Sequence, residues 1–192
     1  MILLRRGGKH DSSGLEVLFG KRTPNARFMP NVWVFPGGAV DLHGDDEPTA
    51  DDYRAAAVRE LEEETAVKLD ESAELVPFSR WITPREVKVR FDTHFYLALA
   101  PSHCAPEADG EEIVEIGWFA PSDALERHAD GKMLLVFPTI KNLESLLEFK
   151  SAEDAIGGAR SREIVPILPK VGMVDGNPGV LLPGDPGYDD VD

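Results

Sequence analysis

The chain has 192 residues, 42% of them hydrophobic and 29% charged, a composition that predicts one soluble globular domain. Its formal net charge of −15 disfavours binding to nucleic acid or anionic membranes, since both are negatively charged. The single cysteine, Cys104, excludes an internal disulfide and every multi-cysteine metal site. No apolar run near the start is long enough for a signal peptide or a membrane span. We therefore expect a cytoplasmic protein without nucleic-acid or membrane partners.

The first third of the chain predicts two strands, a loop and a helix. Residues 15–19 form the first strand, and the β-branched and aromatic residues 31–35 form the second, which ends at Pro36-Gly37-Gly38. Residues 41–51 are too rich in Asp, Gly and Pro for regular structure. Strong helix formers then predict a helix over residues 52–68, with N-cap candidates from Thr49 onwards.

The remainder predicts further strands and helices, followed by a tail. Period-two alternation and apolar runs indicate strands over residues 87–91, 93–100 and 113–119. Helices are expected over residues 121–129 and 138–150. After Pro166 the chain is rich in Pro and Gly, so residues 1–166 are predicted as the domain and 167–192 as an irregular tail. Strands interspersed with helices indicate an α/β or α+β layered domain.

The strongest chemical signal is the acidic stretch of the predicted helix, residues 59–64. Glu60 and Glu64 lie one turn apart and border the apolar stripe of Ala57 and Leu61, while Glu63 is near enough to reach the same ion. Several carboxylates on one turn suit a hard divalent cation such as Mg²⁺. By itself, such a stretch is more often a solvated acidic surface, with Arg59 as its partner within the helix.

The turn upstream favours the metal site over the solvated surface. In Phe35-Pro36-Gly37-Gly38, paired glycines allow the backbone to approach an ion or a phosphate closely. Together with the acidic helix, this turn resembles the Nudix box, Gly-x5-Glu-x7-Arg-Glu-U-x-Glu-Glu-x-Gly-U, where U is a bulky aliphatic residue. The positions that match are Gly38, Arg59, Glu60, Leu61, Glu63, Glu64 and Val67.

The resemblance implies a fold and a chemistry. The expected fold is α/β of the Nudix type, a mixed β-sheet sandwiched between α-helices, here with a helical C-terminal extension. Nudix enzymes cleave a nucleoside diphosphate linked to another moiety by means of divalent metals. By resemblance, Glu60, Glu63 and Glu64 would hold Mg²⁺ or Mn²⁺, Arg59 would orient them, and the carbonyl of Gly37 would complete the shell.

Three positions depart from the Nudix box. Arg59 follows Gly38 by 21 positions rather than 14, so seven residues are inserted in the acidic loop. Asp51 replaces the first glutamate, whose role could pass to Asp41 or Asp46. Ala66 replaces a glycine, and we expect it to be accommodated if that position does not require a positive φ.

A second resemblance concerns coenzyme A. Arg22-Thr23-x3-Arg27-x3-Asn31-x3-Phe35-Pro36-Gly37-Gly38 has the spacing of the coenzyme A signature of CoA-cleaving Nudix enzymes, with Asn31 in place of a glycine. Segments around Trp81 and Arg90 also resemble the branch that contains the peroxisomal acyl-coenzyme A diphosphatase. The residues expected to bind substrate are Arg22, Arg27, Gly38, Trp81 and Arg90. Surface loop charge is the alternative reading of the two signature arginines, and packing is the alternative for Trp81.

One further acidic residue is a candidate for the chemistry. Nudix proteins often supply a metal ligand or a general base from a loop in the region just before residues 113–119. Glu112 occupies that place, with Glu111 and Glu115 as second choices. The alternative is a solvent-exposed acid at the end of a strand. The catalytic set is thus predicted as Arg59, Glu63 and Glu112.

The sequence therefore predicts a metal-dependent diphosphatase that acts on a small-molecule nucleotide, most favourably coenzyme A or an acyl-CoA. Alternative substrates are ADP-ribose, NADH and other dinucleotides. A different class of function, a Nudix-fold module that binds a nucleotide without cleaving it, also stays open. Whether the protein forms a homodimer is open as well.

Overall fold

The computed structural model describes residues 1–7, 14–41, 47–174 and 177–191. In chain order the elements are β1 (Ile2–Arg6), β2 (Leu15–Arg22), β3 (Trp33–Val34), α1 (Ala50–Thr65), β4 (Val76–Ile82), β5 (Asp92–Leu99), β6 (Ile113–Phe119), α2 (Pro121–Ala129), α3 (Phe137–Leu146), α4 (Ala152–Arg160), β7 (Pro166–Ile167), β8 (Lys170–Val174) and β9 (Asn177–Leu181). No helix in these ranges is both long enough and apolar enough to cross a membrane.

The chain divides into two compact units, of which the first comprises Met1–Val76 and Tyr96–Ser161. In this unit β1 pairs in parallel with β5 and antiparallel with β2. Strand β2 also pairs antiparallel with β3 and β6. Parallel and antiparallel pairs in one sheet, together with four helices in the described residues, confirm the predicted α/β class.

Both faces of the two central strands are buried. Leu3 of β1 and Leu18 of β2 form a core cluster with Ala57 and Leu61 of α1. Their neighbours along β1 and β2 are fully buried too, although successive side chains of a strand point to opposite faces. Strand β1 is missing from the sequence prediction for this reason. A short strand buried on both faces shows no alternation, and the run Ile2-Leu3-Leu4 is too short to be diagnostic.

Helix α1 begins slightly earlier and ends earlier than predicted. Its N-cap is Thr49, which forms a capping box: Asp52 N donates to the Thr49 hydroxyl, and Thr49 N donates 2.8 Å to the Asp52 carboxylate. The helix ends at Thr65 because Ala66 adopts φ +57°. The condition on which Ala66 was expected to be accommodated, a position without positive φ, is therefore not met. Residues 42–46 of the predicted acidic loop, including Asp46, lie outside the described residues.

The strand predictions were right for β2, β5 and β6 and wrong for residues 87–91, which form turns and bends. Thr83 closes this segment: its N–H donates 2.9 Å to the carbonyl of Phe91, and its hydroxyl accepts from Phe91 N at 2.9 Å. Val87 and Val89 are both exposed, so the alternation of apolar and polar residues here does not correspond to a strand with one buried face.

The predicted helix over residues 138–150 is shorter in the structure, and a separate helix follows it. Helix α3 ends at Leu146, and Ser151 caps a new helix, α4, by accepting a hydrogen bond from Asp154 N at 3.1 Å. Leu147, inside the predicted range but after the end of α3, is 53% exposed. Helix α2 matches its predicted range.

The second unit comprises Pro77–Phe95 and Arg162–Asp192. In it β4 pairs in parallel with β7, and β8 pairs antiparallel with β9. The tail predicted as irregular therefore contains strands, because the pairing of β8 with β9 outweighs its high Pro and Gly content. The predicted domain boundary after residue 166 does not coincide with the compact units, since the tail is grouped with a segment from the middle of the chain.

Candidate active site

The glutamates of α1 divide into two pairs by exposure. The side chains of Glu60 and Glu64 flank the part of the helix that enters the core, and Glu60 is 16% exposed while Glu64 as a residue is 5% exposed. Glu62 and Glu63 point outward, with side chains 46% and 58% exposed. Helical periodicity produces this division: at about 100° per residue, Glu60 and Glu64 lie within about 60° of the buried Ala57, whereas Glu62 and Glu63 lie about 120–140° from it.

The glycine turn contacts both inner carboxylates. Gly37 N donates a 2.9 Å hydrogen bond to Glu64 Oε2. A Cβ at Gly38 would overlap the carboxylate of Glu60, so only glycine allows this close approach without a shift. Sequence reasoning expected the Gly37 carbonyl to serve the site, whereas the contact observed here is made by its N–H. The carbonyl as a metal ligand stays a prediction.

Burial and mutual repulsion shift the inner carboxylates in the same direction. Burial raises the pKa of Glu64 to about 7; the Gly37 N–H opposes this shift, and the charges of Glu60 and Glu112 add to it. Burial also raises the pKa of Glu60, against the opposing hydrogen bond from Arg59. Buried like charges of this kind are stabilised by a cation. Carboxylate oxygens are ligands that hard cations such as Mg²⁺ and Mn²⁺ prefer.

Arg59 forms ion pairs with three carboxylates, those of Asp41, Glu60 and Glu63. Its guanidinium lies 2.8 Å from Glu60 Oε1, 2.7 Å from Glu63 Oε2 and 3.1 Å from Asp41 Oδ2. It also donates a 3.0 Å hydrogen bond to the carbonyl of Ala39. Because Glu60 and Glu63 turn toward Arg59, no three carboxylate, imidazole or thiol side chains of the described ranges are gathered around one point suited to an ion.

Asp41 and Asp51, two acids considered for the role of the first Nudix-box glutamate, lie in different environments. Asp41 is paired with Arg59 beside the site. Asp51 lies in the first turn of α1, where its side chain is 95% exposed and pairs with Arg54 at 3.3 Å.

Glu112 lies in the exposed loop that precedes β6. Its charge contributes to the raised pKa of both Glu60 and Glu64, so the loop brings a further carboxylate to the inner pair. The second choice Glu115 is engaged elsewhere, in an ion pair with Lys21 at 3.3 Å. The Glu112 carbonyl accepts a 2.8 Å hydrogen bond from Thr23 N, which ties this loop to the arginine segment.

Two arginines of the proposed signature have unused hydrogen-bonding capacity. Arg22 Nε is buried and has no hydrogen-bond partner in the part of the chain that the structure describes. Arg27 is exposed and forms no ion pair with any described carboxylate. Asn31, where the signature has glycine, adopts φ +61°, a conformation that Asn tolerates better than most residues.

Trp81 and Arg90 belong to the second unit. Trp81 is only 5% exposed, which leaves little of its ring open for an adenine to stack on. Arg90 is exposed and donates a 3.2 Å hydrogen bond to the Thr83 carbonyl. Substrate contacts by these two residues stay predictions.

A groove of about 860 Å³ that sequence reasoning missed borders the outer face of α1. Its lining mixes apolar and charged side chains from α1 and the segment after it: Arg54, Ala55, Val58, Arg59, Glu62, Glu63, Ala73 and Leu75. The spacing of the α1 residues could have predicted that they share one helix face. No local sequence pattern predicts that Ala73 and Leu75 line the same groove.

Comparison with known proteins assigns the fold. A model of the NUDIX domain matches residues 1–137. A Caenorhabditis elegans protein named nudix hydrolase 7 is 31% identical, over 70% of this chain and 56% of that protein, so the chain spans little more than half its length.

Solved structures give the same result. The NUDIX hydrolase from Alicyclobacillus acidocaldarius superposes with a TM-score of 0.69 at 25% identity, covering 81% of this chain and 92% of that one. A mutT/nudix family protein from Listeria innocua gives a TM-score of 0.53 at 25% identity, covering 77% and 88%. These matches confirm the Nudix fold expected from the glycine turn and the acidic helix, and the chain belongs to the Nudix family.

Proposed function

We propose that the chain is a metal-dependent Nudix hydrolase that cleaves a diphosphate bond in a nucleoside-diphosphate-linked substrate. The observation that carries this proposal is the inner pair, buried Glu64 and half-buried Glu60, packed against Gly37 and Gly38. Two carboxylates with raised pKa values are unfavourable for folding alone, and a divalent cation would offset that cost. The hydrolase names of the relatives support the same activity.

In this proposal Glu60, Glu63 and Glu64 would hold Mg²⁺ or Mn²⁺, with Glu60 and Glu63 turning from Arg59 toward the ion when it binds. When bound, such an ion neutralises charge on the diphosphate and lowers the pKa of water. Gly37 N–H keeps the Glu64 carboxylate oriented and favours its charged form. Arg59 holds Glu63 beside the inner pair. Glu112 accepts the proton of the attacking water, a role that needs hydrogen-bond reach to that water.

A substrate screen tests the activity. CoA, acyl-CoA, ADP-ribose, NADH and nucleoside triphosphates are incubated with the protein and Mg²⁺ or Mn²⁺, and the products are separated by chromatography. We expect cleavage that stops in excess EDTA. Binding of a nucleotide without hydrolysis of any of them would favour the non-catalytic module, and full activity in EDTA would refute the metal chemistry.

We further propose that the substrate is coenzyme A or an acyl-CoA. Support comes from the free donor of Arg22, the exposed Arg27 and the spacing of the signature that contains them. Forked guanidinium hydrogen bonds suit a 3′-phosphate or a diphosphate. Cleavage would yield 3′-phosphoadenosine 5′-phosphate and the phosphopantetheine part.

The variant Arg27→Ala tests this assignment. A charge-assisted hydrogen bond contributes about 1.5–3 kcal/mol, so kcat/KM for CoA should fall roughly 10- to 150-fold. If Arg27 binds the 3′-phosphate, dephospho-CoA serves as the control and its turnover should stay near that of the wild type. An equal loss on both substrates would place Arg27 at the diphosphate. Rapid hydrolysis of ADP-ribose with none of CoA would refute the CoA assignment and leave the hydrolase proposal standing.

Cytoplasmic location and homodimer formation stay predictions. A small-molecule nucleotide is the partner that the proposed chemistry requires. The net charge of −15 continues to disfavour nucleic acid as a partner.

A further inference from the structure

The loop before β6 is organised around one carboxylate, that of Asp109. Its Oδ1 accepts hydrogen bonds from Glu111 N at 2.5 Å and Glu112 N at 2.7 Å. Its Oδ2 accepts from Ile113 N at 3.1 Å. Gly110 completes the turn with φ +80° and donates a 2.9 Å hydrogen bond to the Ile113 carbonyl. Three consecutive amides thus converge on a single side chain.

This turn fixes the backbone of an otherwise exposed segment. Asp109, Glu111 and Glu112 are all exposed, so neighbouring side chains bury little of them. Below them Ile113 is fully buried and begins β6. Hydrogen bonds from backbone N–H groups to a charged carboxylate are stronger than neutral ones. The Asp109 carboxylate is therefore the main local restraint on the position of Glu112.

The position of Glu112 matters to the inner carboxylates. Its charge acts on both Glu60 and Glu64, which lie on a different element, α1. Its carbonyl also accepts a hydrogen bond from Thr23, next to Arg22. A shift of this turn would therefore displace the Glu112 carboxylate relative to α1.

We propose that Asp109 is a positioning residue that holds the Glu112 carboxylate toward Glu60 and Glu64, through the three amides that it binds. The inference rests on the proposed hydrolase function. It assigns Asp109 no contact with substrate or metal: Asp109 acts only through the backbone of Glu112. Loss of its carboxylate leaves Glu112 chemically intact but mobile.

The test is a double-mutant cycle on the full chain with Asp109→Ala, Glu112→Gln and the combined variant. Outer partners of a metal site typically change activity or metal affinity by about 10- to 100-fold, and we expect Asp109→Ala to lower kcat by that range while KM changes little. In the Glu112→Gln background, Asp109→Ala should have no further effect on kcat, because Glu112 no longer carries the function.

Asp154→Ala is the matched control. Asp154 also accepts a backbone hydrogen bond, from Lys150 N at 3.0 Å, but at the start of α4. Its loss should leave kcat unchanged. Asp109→Asn, which keeps one acceptor oxygen, should fall between the wild type and Asp109→Ala. This milder variant also serves if Asp109→Ala does not fold.

Binding of Mn²⁺ alone, measured by calorimetry, gives a readout independent of turnover. Asp109→Ala and Glu112→Gln should change Mn²⁺ affinity by the same factor. Wild-type kcat in Asp109→Ala, or losses that multiply in the combined variant, would overturn the positioning role. If the wild type hydrolyses no diphosphate, only the proposed hydrolase function is refuted. If Asp109→Ala and Glu112→Gln change the Mn²⁺ affinity by different factors, the positioning role of Asp109 is refuted.

Discussion

The two sides of α1 carry the same residue type in different environments. In the inner pair, which packs against the glycine turn, Glu64 is buried and Glu60 is half-buried, and desolvation raises both pKa values. The outer pair, Glu62 and Glu63, is exposed and forms ion pairs with Lys68 at 2.8 Å and with Arg59 at 2.7 Å. The difference teaches that rotation about the helix axis, not residue type, decides which carboxylates face the glycine turn and which are left exposed to solvent.

The largest expected effect comes from removing the charge of one inner carboxylate. Glu64→Gln keeps the shape and an acceptor for Gly37 N–H but loses the negative charge. Turnover should fall at least about 100-fold, the order of one lost electrostatic group in an active site. Steady-state kinetics with Mg²⁺ measures the fall. Wild-type turnover in this variant would show that the inner pair has no special role.

The second prediction concerns stability and pH without metal. The pKa of Glu64 is about 7 in the folded chain, above the ordinary glutamate value of 4.5. The folded chain therefore binds the Glu64 proton more tightly than the unfolded chain does. The stability that results is fully present below pH 4.5 and is lost as the pH rises through 7. The Glu64 carboxyl should therefore lower the free energy of unfolding by about 3 kcal/mol over this pH range. The Glu64→Gln variant has no carboxyl at this position and should not show this loss. Urea unfolding in EDTA from pH 4.5 to 8 measures the difference between the two proteins.

Saturating Mg²⁺ sharpens the same comparison. A cation that binds only the folded, ionised pair stabilises the native state by mass action. The melting temperature of the wild type at pH 8 should therefore rise with Mg²⁺, and that of Glu64→Gln should rise less. An identical rise in both proteins would place the cation elsewhere.

A smaller effect is expected where α1 ends. Ala66 adopts φ +57°, where a glycine has no Cβ to strain, so Ala66→Gly should stabilise the fold by about 1 kcal/mol. Asn31→Gly is the control at φ +61°, and its gain should be smaller because Asn tolerates this region. Chemical denaturation measures both variants. Destabilisation by Ala66→Gly would contradict the strain argument.

The smallest effect is expected on the outer side. Glu62→Gln removes a solvent-exposed ion pair with Lys68 and no contact with the glycine turn. Exposed pairs contribute little, so turnover should stay at the wild-type level. A large loss of activity would mean that Glu62 itself takes part in the chemistry.

Local patterns predicted the elements that depend on local interactions. The helix bearing the carboxylates, its Thr49 cap and the range of α2 could all be read from propensity and capping residues. The wrong strand at residues 87–91 and the missed strands β8 and β9 share one cause. Strand pairing joins residues distant in sequence or separated by a turn, so alternation without a partner says little.

The sequence alone determined the family, because the glycine turn and the spacing of the α1 glutamates are contiguous motifs. It also determined which two glutamates border the apolar stripe, since helical periodicity is a local property. Only the tertiary structure decided that Gly37 N–H binds the Glu64 carboxylate, that Arg59 reaches the Ala39 carbonyl, and that Thr23 N–H binds the Glu112 carbonyl. These features depend on side-chain direction and on contacts between segments far apart in the chain, and residue spacing does not specify either.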